Sequence, residues 1–330
     1  MDQNSKPLDL LIVGGSAAAT AAGIYAARRG LNFKIITKDF GGEVVVSGEI
    51  GNYPGFTKID GVELTMKFKE HLRHYNVDIE EGVEVAHIVK QEDGLFCITP
   101  GKGKESKMAS ERIDPATNGA PKCGYLAKTV IVATGVHPRQ LGMPGEKEFR
   151  NKGVSYCTTC DGPLFTGKTV ATVGGGNSAL ESGLMLSGIA EKVYVINKNP
   201  KFKGDQMLIN NLRSKKNVTV IYSAKTTEIM GTDFVTGLKY TDEAGIEQTL
   251  DVEGIFVHIG MIPNSDLVPE DTEKDNFKQI IVNMAGETNV SGLYAAGDVT
   301  NIPYNQIAIA VGQGTTALLS AVSYLNKLES

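Results

Sequence analysis

The chain has 330 residues, 41% hydrophobic and 22% charged, with 33 basic residues against 38 acidic ones and a net charge of −5. That length suggests two domains, each with its own core, in an ordinary globular composition, and there is no basic surplus to attract nucleic acid. Four cysteines are too few for a secreted disulfide scaffold, so the cytoplasm is the expected compartment.

The start, "MDQNSKPLDLLIVGG", is polar and then runs into an apolar strand. It lacks the basic, apolar and small-residue regions of a signal peptide, and none is expected. Leu10–Val13 reads as a buried parallel strand. A turn follows, Gly14-Gly15-Ser16-Ala17-Ala18-Ala19, then an Ala-rich helix ending at Arg28, Arg29 and Gly30, and a second strand, "FKIIT". Ser16 and Ala19 stand where a dinucleotide fingerprint has glycines; the Ser16 hydroxyl is able to bond a phosphate oxygen instead. After the loop "KDFGGEVVVSGEIGNYPGF" comes an amphipathic helix, Gly61–Tyr75, carrying His71 and His74, and then strands in "VEVAHIVKQEDGLFCITP". "GKGKESKMASERIDPATNGAPKCG" reads as a long exposed hairpin loop with no function of its own, and Cys123 within it as incidental, without a local partner.

"KTVIVATGVHPRQL" is a strand running into Ala-Thr-Gly. "SYCTTCDGPLF" carries Cys157 and Cys160. "KTVATVGGGNSALESGLMLSGIAEKVYVIN" is a second strand–turn–helix–strand unit. Its turn, Gly174-x-Gly176-x-x-Ala179, is better formed than the first. The first Gly permits the tight turn, the second admits a pyrophosphate to the backbone, and Ala lets helix and strand pack closely. "VEGIFVHIGMIPNSDL" and "SGLYAAGDV" are later strands, the latter ending at Gly297 and Asp298. "NQIAIAVGQGTTALLSAV" comes closest to a membrane span of roughly 18 residues, but Gln306, Gly312, Gln313 and Gly314 interrupt it, and no membrane association is expected.

One nucleotide unit early, another in the middle and a return near the end imply an α/β protein with two Rossmann-like domains of three-layer ββα type, the second inserted into the first. The expected first domain is discontinuous, residues 1–136 and 259–330, and the inserted one is 137–258. The crossings fall near Gly135–His137 and His258–Gly260.

Cys157 and Cys160 have the spacing of a redox dithiol. The rival reading is half a zinc site, which needs a second Cys/His pair. Cys97 and Cys123 are isolated, and His71 and His74 belong to a solvated helix face. Asp161, directly after Cys160, is placed to exchange a proton with a thiol or to cap a helix.

Seven stretches in order carry a resemblance over essentially the whole chain: "IYAARRG", "GGEVVVSGEIGNYPGF", "VIVATGVHPRQLGMPGE", "GVSYCTTCDGPLF", "VGGGNSALESG", "VEGIFVHIGMIPN" and "LYAAGDV" with the following Gln. The chain resembles the low-molecular-weight thioredoxin reductases, FAD-dependent pyridine nucleotide-disulfide oxidoreductases. It also resembles the reductase region of the alkyl hydroperoxide reductase flavoprotein subunit. The resemblance implies FAD and NADH or NADPH as cofactors, thioredoxin or a related dithiol protein as partner, a homodimer, and no metal. Electrons would pass from the nicotinamide through the flavin to the Cys157–Cys160 disulfide, the inserted domain rotating between two orientations. Cys160 would face the flavin, Cys157 would attack the partner's disulfide, and Asp161 would serve as acid/base. The positions matching the FAD site are Gly14, Gly15, Ser16, Ala17, Gly42, Glu43, Asn52, Gly135, Gly297, Asp298 and Gln306. Gly174, Gly176, Asn177, Ser178 and Ala179 match the nicotinamide site, and Arg139 matches an arginine that contacts thioredoxin.

There are departures. Glu43 replaces the family's usual Gln, and Asn305 replaces an Arg before the Gln. Where NADPH-specific members carry His-Arg-Arg and a further Arg, this chain has Asn197, Lys198, Asn199 and, downstream, Lys203. Lysine offers a point charge without a bidentate fork, and no acidic residue presents itself to a ribose 2′-hydroxyl. The expectation is NADH or dual use. Other readings stay open: a peroxiredoxin-system reductase (against which stands the first strand beginning by Leu8), a ferredoxin-linked member or a dithiol oxidase, and, from another class, a non-enzymatic FAD module or a zinc-tethered scaffold.

Overall fold

A computed structural model describes residues 6–47, 49–101 and 123–329. The hairpin loop expected between Gly101 and Gly124 lies, apart from its ends, outside the described residues.

The first strand, β1 (Leu8–Val13), leads through a glycine turn into α1 (Ala17–Arg28) and back along β2 (Phe33–Thr37). A small hairpin of β3 (Glu49–Ile50) and β4 (Ile59–Asp60) precedes α2 (Gly61–His74), whose first N–H groups are capped by the Asp60 carboxylate. Then come β5 (Ile79–Glu81), β6 (Val85–Lys90), β7 (Phe96–Pro100) and β8 (Tyr125–Val132). The sheet order is β5-β2-β1-β8-β7-β6; the pairs from β5 to β8 are parallel, while β7 pairs antiparallel with both β8 and β6.

Strand β1 is buried on both faces, as its unbroken apolar run requires. Leu10 and Ile12 point into one core with the alanines of α1 and with Leu64, Phe68 and Leu72 of α2. Leu11 and Val13 point into the opposite core with Phe96, Ile98 and Leu293.

After β8 the chain crosses over through β9 (Val136–Pro138) and builds a second sheet. Its elements are β10 (Val154–Ser155), the one-turn helix α3 (Thr158–Asp161), β11 (Thr169–Val173), α4 (Asn177–Ser187), β12 (Lys192–Ile196), α5 (Gln206–Arg213) and β13 (Val218–Ile221). An antiparallel meander follows, β14 (Lys225–Gly231), β15 (Val235–Thr241) and β16 (Glu247–Asp251), and then β17 (Gly254–Val257). The order β10-β17-β11-β12-β13 is parallel throughout. Leu180, Leu186, Ile209 and Leu212 of the two helices cover one face. Ile229 and Leu238 of the meander cover the other, which gives three layers.

The return strand β18 (Met261–Pro263) pairs antiparallel with β9, Ile262 opposite His137, so the two crossings run side by side. Strand β19 (Leu293–Ala295) then joins the first sheet beside β8, and α6 (Ile307–Glu329) ends the described chain. By length and composition alone, Ile307–Leu328 of α6 is long and apolar enough to cross a membrane, contrary to the expectation from its interrupting Gln and Gly residues. In the fold its Ala317, Leu318 and Ala321 are fully buried. The small residues serve close packing on α1: a Cβ on Gly314 would lie 2.1 Å from the Ala18 carbonyl oxygen.

One expectation is overturned. Cys97 and Cys123 are not isolated but form a disulfide with Cα atoms 5.4 Å apart. The β7–β8 ladder sets Cys97 opposite Leu126, which brings the residues just before β8 against it. That proximity is tertiary, across a sequence separation of 26, and no local pattern announces it.

Candidate active site

Both glycine turns form at the ends of buried strands. Gly14 has φ +124°, and a Cβ there would sit 2.2 Å from the Ala133 carbonyl oxygen. Gly174 has φ +155°, and its Cβ would sit 2.2 Å from the His258 carbonyl oxygen. Each turn is thus pressed against a neighbouring strand end and tolerates no side chain. Ser16, the residue before α1, donates its hydroxyl to Gly41 O at 2.6 Å and does not cap the helix. Gly176 opens α4 without a side-chain cap, and neither helix has an acidic residue in its first turn. Two helix N-termini of more than two turns are therefore left to receive anionic groups. A Cβ on Gly176 would meet nothing within 4 Å, so its backbone is open to close approach.

The first turn opens onto a cavity of about 1070 Å³. Its walls include Gly14, Gly15, Ser16, Ala17, Gly42, Glu43, Asn52, Gly135, Gly297, Asp298 and Gln306, together with Cys157, Cys160, Asp161 and Ser178. Asn52 and Gln306 meet there, the Asn52 amide donating to Gln306 Oε1 at 3.0 Å across 254 positions. Asp298 follows the end of β19; burial and, secondarily, the negative Glu43 push its carboxyl up to about 6. A cradle with no room for a Cβ, an uncapped helix N-terminus and a desolvated carboxyl able to accept a hydroxyl fit a dinucleotide with a polyol chain.

Gly174, Gly176, Asn177, Ala179, Lys198 and Lys203 are not among those walls. They gather around the second turn. Asn197, 1% exposed, lies beneath Gly175 and holds the following loop, accepting from Asn199 N and donating to Lys201 O, both at 3.0 Å. The Asn177 amide donates to the Asp205 carboxylate at 3.0 Å, so an acid does stand near this turn, bound to Asn177. Lys198 and Lys203 are exposed.

Cys157 and Cys160 are joined as a disulfide, with Cα atoms 5.3 Å apart at the start of α3. Cys157 Sγ accepts from Cys160 N at 3.2 Å, an interaction that favours a thiolate there after reduction. Asp161 accepts the Ser155 hydroxyl at 2.6 Å, and Ser155 Oγ in turn accepts from Cys157 N at 3.1 Å. Burial raises the Asp161 carboxyl above its ordinary value, and the Ser155 hydrogen bond opposes this. Among the described residues no group of three or more His, Cys, Asp or Glu side chains is gathered to hold a metal.

Several supporting residues escape sequence reasoning. Glu146, 1% exposed, accepts from Leu141 N and Gly142 N, both at 2.7 Å, and from the Tyr156 hydroxyl at 2.9 Å, fixing the residue before Cys157. Arg150 pairs with Glu43 at 2.8 Å, and Asn151 donates to Val46 O at 2.7 Å, linking the dithiol-bearing half to the loop after β2. Thr158 is bonded to Ser182 and to His258. The one sequence signal for these was His258, a polar residue ending an apolar strand. Arg139 lies outside the large cavity, on a smaller cleft with His137 and Arg150.

Known proteins resemble this chain over nearly its whole length. The "NADH dehydrogenase" of Bacillus subtilis (strain 168) is 39% identical over 98% of this chain and 59% of that protein. An alkyl hydroperoxide reductase subunit of Escherichia coli (strain K12) is 40% identical over 96% of this chain and 58% of its own length. The chain thus spans about six-tenths of the curated relatives it matches. The crystal structure of thioredoxin reductase from Streptococcus pyogenes MGAS5005 superposes with a TM-score of 0.85 at 32% identity, covering 97% of this chain and 98% of that one. The family model described as "Pyridine nucleotide-disulphide oxidoreductase" matches residues 8–314. The chain belongs to the pyridine nucleotide-disulphide oxidoreductase family.

Proposed function

We propose that this protein is an FAD-dependent thioredoxin-disulfide reductase, driven by NADH or by either pyridine nucleotide. The observation that carries the reading is the shared cavity: the Cys157–Cys160 disulfide and the first glycine turn both line it. In this reading residues 1–136 and 259–330 hold the flavin. Gly14, Gly15, Ser16, Ala17 and the N-terminus of α1 take its pyrophosphate, Asp298 its ribityl chain, and Gly42, Glu43, Asn52, Gly135, Gly297 and Gln306 the remainder. Residues 137–258 hold the nicotinamide nucleotide at Gly174–Ala179, with Lys198 and Lys203 beside it. When bound, FAD supplies two-electron exchange between a pyridine nucleotide and a disulfide.

The chain's own residues do the sulfur chemistry. The Cys157–Cys160 bond takes up two electrons and two protons and becomes a dithiol. Asp161, its carboxyl raised by burial, relays a proton at the thiols in concert with Ser155. Cys157 thiolate then attacks the partner's disulfide, and Cys160 displaces the partner from the mixed disulfide as a second thiol. Of the second turn, Ser178 lines the cavity that holds the disulfide, while Gly174, Gly176, Asn177 and Ala179 lie outside it. The reading therefore includes a rotation of the 137–258 half, during which the Arg150–Glu43 and Asn151–Val46 links part. It also includes a homodimer in the cytoplasm, with Arg139 facing the partner protein.

A second reading, a peroxiredoxin-system disulfide reductase, keeps the chemistry and changes the partner. It is favoured by the 40% identity to the hydroperoxide reductase chain of Escherichia coli. One experiment separates them: NADH-driven reduction of insulin through added thioredoxin, beside NADH-driven reduction of an oxidised peroxiredoxin. Flavin bleaching by nucleotide with no electron transfer to thioredoxin would refute the first reading.

A further inference from the structure

The mechanism above leaves three buried hydroxyls and a half-buried imidazole beside the dithiol without a role. Thr158 stands between the two cysteines and is 5% exposed. Its Oγ1 lies 2.7 Å from Ser182 Oγ on α4 and 2.7 Å from Nε2 of His258, the residue just after β17. Ser182 Oγ lies 3.0 Å from Thr172 Oγ1 on β11. Ser182 and Thr172 are 3% and 0% exposed. Each hydroxyl has one proton to donate, so with Nε2 as the imidazole acceptor the direction is fixed: Thr172 donates to Ser182, Ser182 to Thr158 and Thr158 to His258. Burying hydroxyls is costly unless each is bonded. The series therefore fixes one arrangement of four elements, α3, α4, β11 and the end of β17. Thr159, the other residue between the cysteines, is exposed.

We infer that Thr158, Ser182 and His258 are positioning residues that set the redox poise of the Cys157–Cys160 pair by bolting its turn to the sheet beneath. In the oxidised state the turn is already closed by the S–S bond. In the dithiol state no bond joins the sulfurs, and the Thr158 anchor adds to the restraint that the short backbone link and α3 place on them. It keeps the two thiols at high effective concentration toward one another and so favours the disulfide. Loosening the anchor should make the disulfide easier to reduce.

The inference rests on the reading that Cys157–Cys160 is the exchanging couple, and the test separates the two. The FAD-loaded protein is equilibrated without oxygen in dithiothreitol redox buffers, trapped with iodoacetamide, and mapped by peptide mass so that Cys157 and Cys160 are scored apart from Cys97 and Cys123. Dithiothreitol supplies the two electrons and two protons. Thr158→Val, which keeps shape and removes the hydroxyl, and His258→Leu should each shift the equilibrium toward dithiol by about tenfold, the scale of one buried hydrogen bond, or about 30 mV for a two-electron couple. Thr158→Ser and His258→Gln, which keep a hydrogen-bonding group, should stay within about threefold of wild type. A role in folding alone would lower thermal stability without moving the potential or being rescued in this pattern. Folded Thr158→Val and His258→Leu proteins that titrate like wild type overturn the inference. If neither folds, Ser182→Ala decides, with a shift toward dithiol expected and an unshifted titration overturning it. A wild-type pair that never exchanges with dithiothreitol overturns the inference and the proposed function together.

Discussion

Replacing Asp298 with Asn should change stability and flavin affinity in opposite directions. The folded carboxyl titrates near 6, against an ordinary value of 3.8, chiefly because burial disfavours the charged form. A raised carboxyl contributes stability that is complete below its unfolded value and is lost as pH rises through the folded one. At neutral pH the cofactor-free protein therefore carries an ionised, desolvated group. The shift corresponds to about 3 kcal/mol, reduced to about 2 kcal/mol because water still reaches part of the carboxyl. Asn removes that charge and keeps the shape. The cofactor-free Asp298→Asn protein should melt about 4 °C above wild type near pH 7, with the gap closing toward pH 4. A hydrogen bond to a charged acceptor is stronger than one to a neutral amide, so the same variant should bind FAD about tenfold more weakly. Thermal melts at several pH values and a flavin fluorescence titration measure both. A melting difference that is the same near pH 4 and near pH 7 would refute the argument.

Asp161→Asn keeps an acceptor for the Ser155 hydroxyl and loses the proton. It should slow reduction of the protein disulfide by about 100-fold while flavin bleaching by nucleotide is unchanged, as stopped-flow traces will show; equal loss in both phases would contradict the assignment. Gly174→Ala forces a Cβ to within 2.2 Å of the His258 carbonyl oxygen. It should abolish bleaching by nucleotide but not by dithionite, and unimpaired bleaching by NADH would count against the second turn as the nucleotide site. Lys198→Ala with Lys203→Ala should raise KM for NADPH about tenfold and leave KM for NADH nearly unchanged, since only the former carries a 2′-phosphate for a lysine to meet. A strong NADPH preference lost in that double variant would reverse the cofactor expectation.

The parts of the molecule written in the sequence are those set by local physics. Leu10–Val13 reads as a buried parallel strand and Thr169–Val173 as a strand, and Gly14 and Gly174 after them fill turns where a backbone oxygen leaves no space for a Cβ. The dithiol was legible by spacing. Residues such as Asn52 and Gln306, 254 positions apart, came into the site through resemblance, since no periodicity relates them. What stayed hidden depends on tertiary neighbours. The Cys97–Cys123 bond needs the β7–β8 register, Glu146 needs two backbone N–H groups and Tyr156 converging on it, and Thr158 reads as a spacer until Ser182 and His258 are seen beside it. Asn177, read as a nucleotide ligand, has its amide committed to Asp205 in this structure.

Electrons from a pyridine nucleotide must reach one particular sulfur pair for this protein to act as proposed. The direct measurement is to load the protein with FAD, add NADH in stoichiometric steps without oxygen, alkylate, and count labelled cysteines by peptide mass. Two labels should appear together on Cys157 and Cys160, both absent before NADH is added. A flavin that bleaches fully while those two residues remain joined would contradict the account.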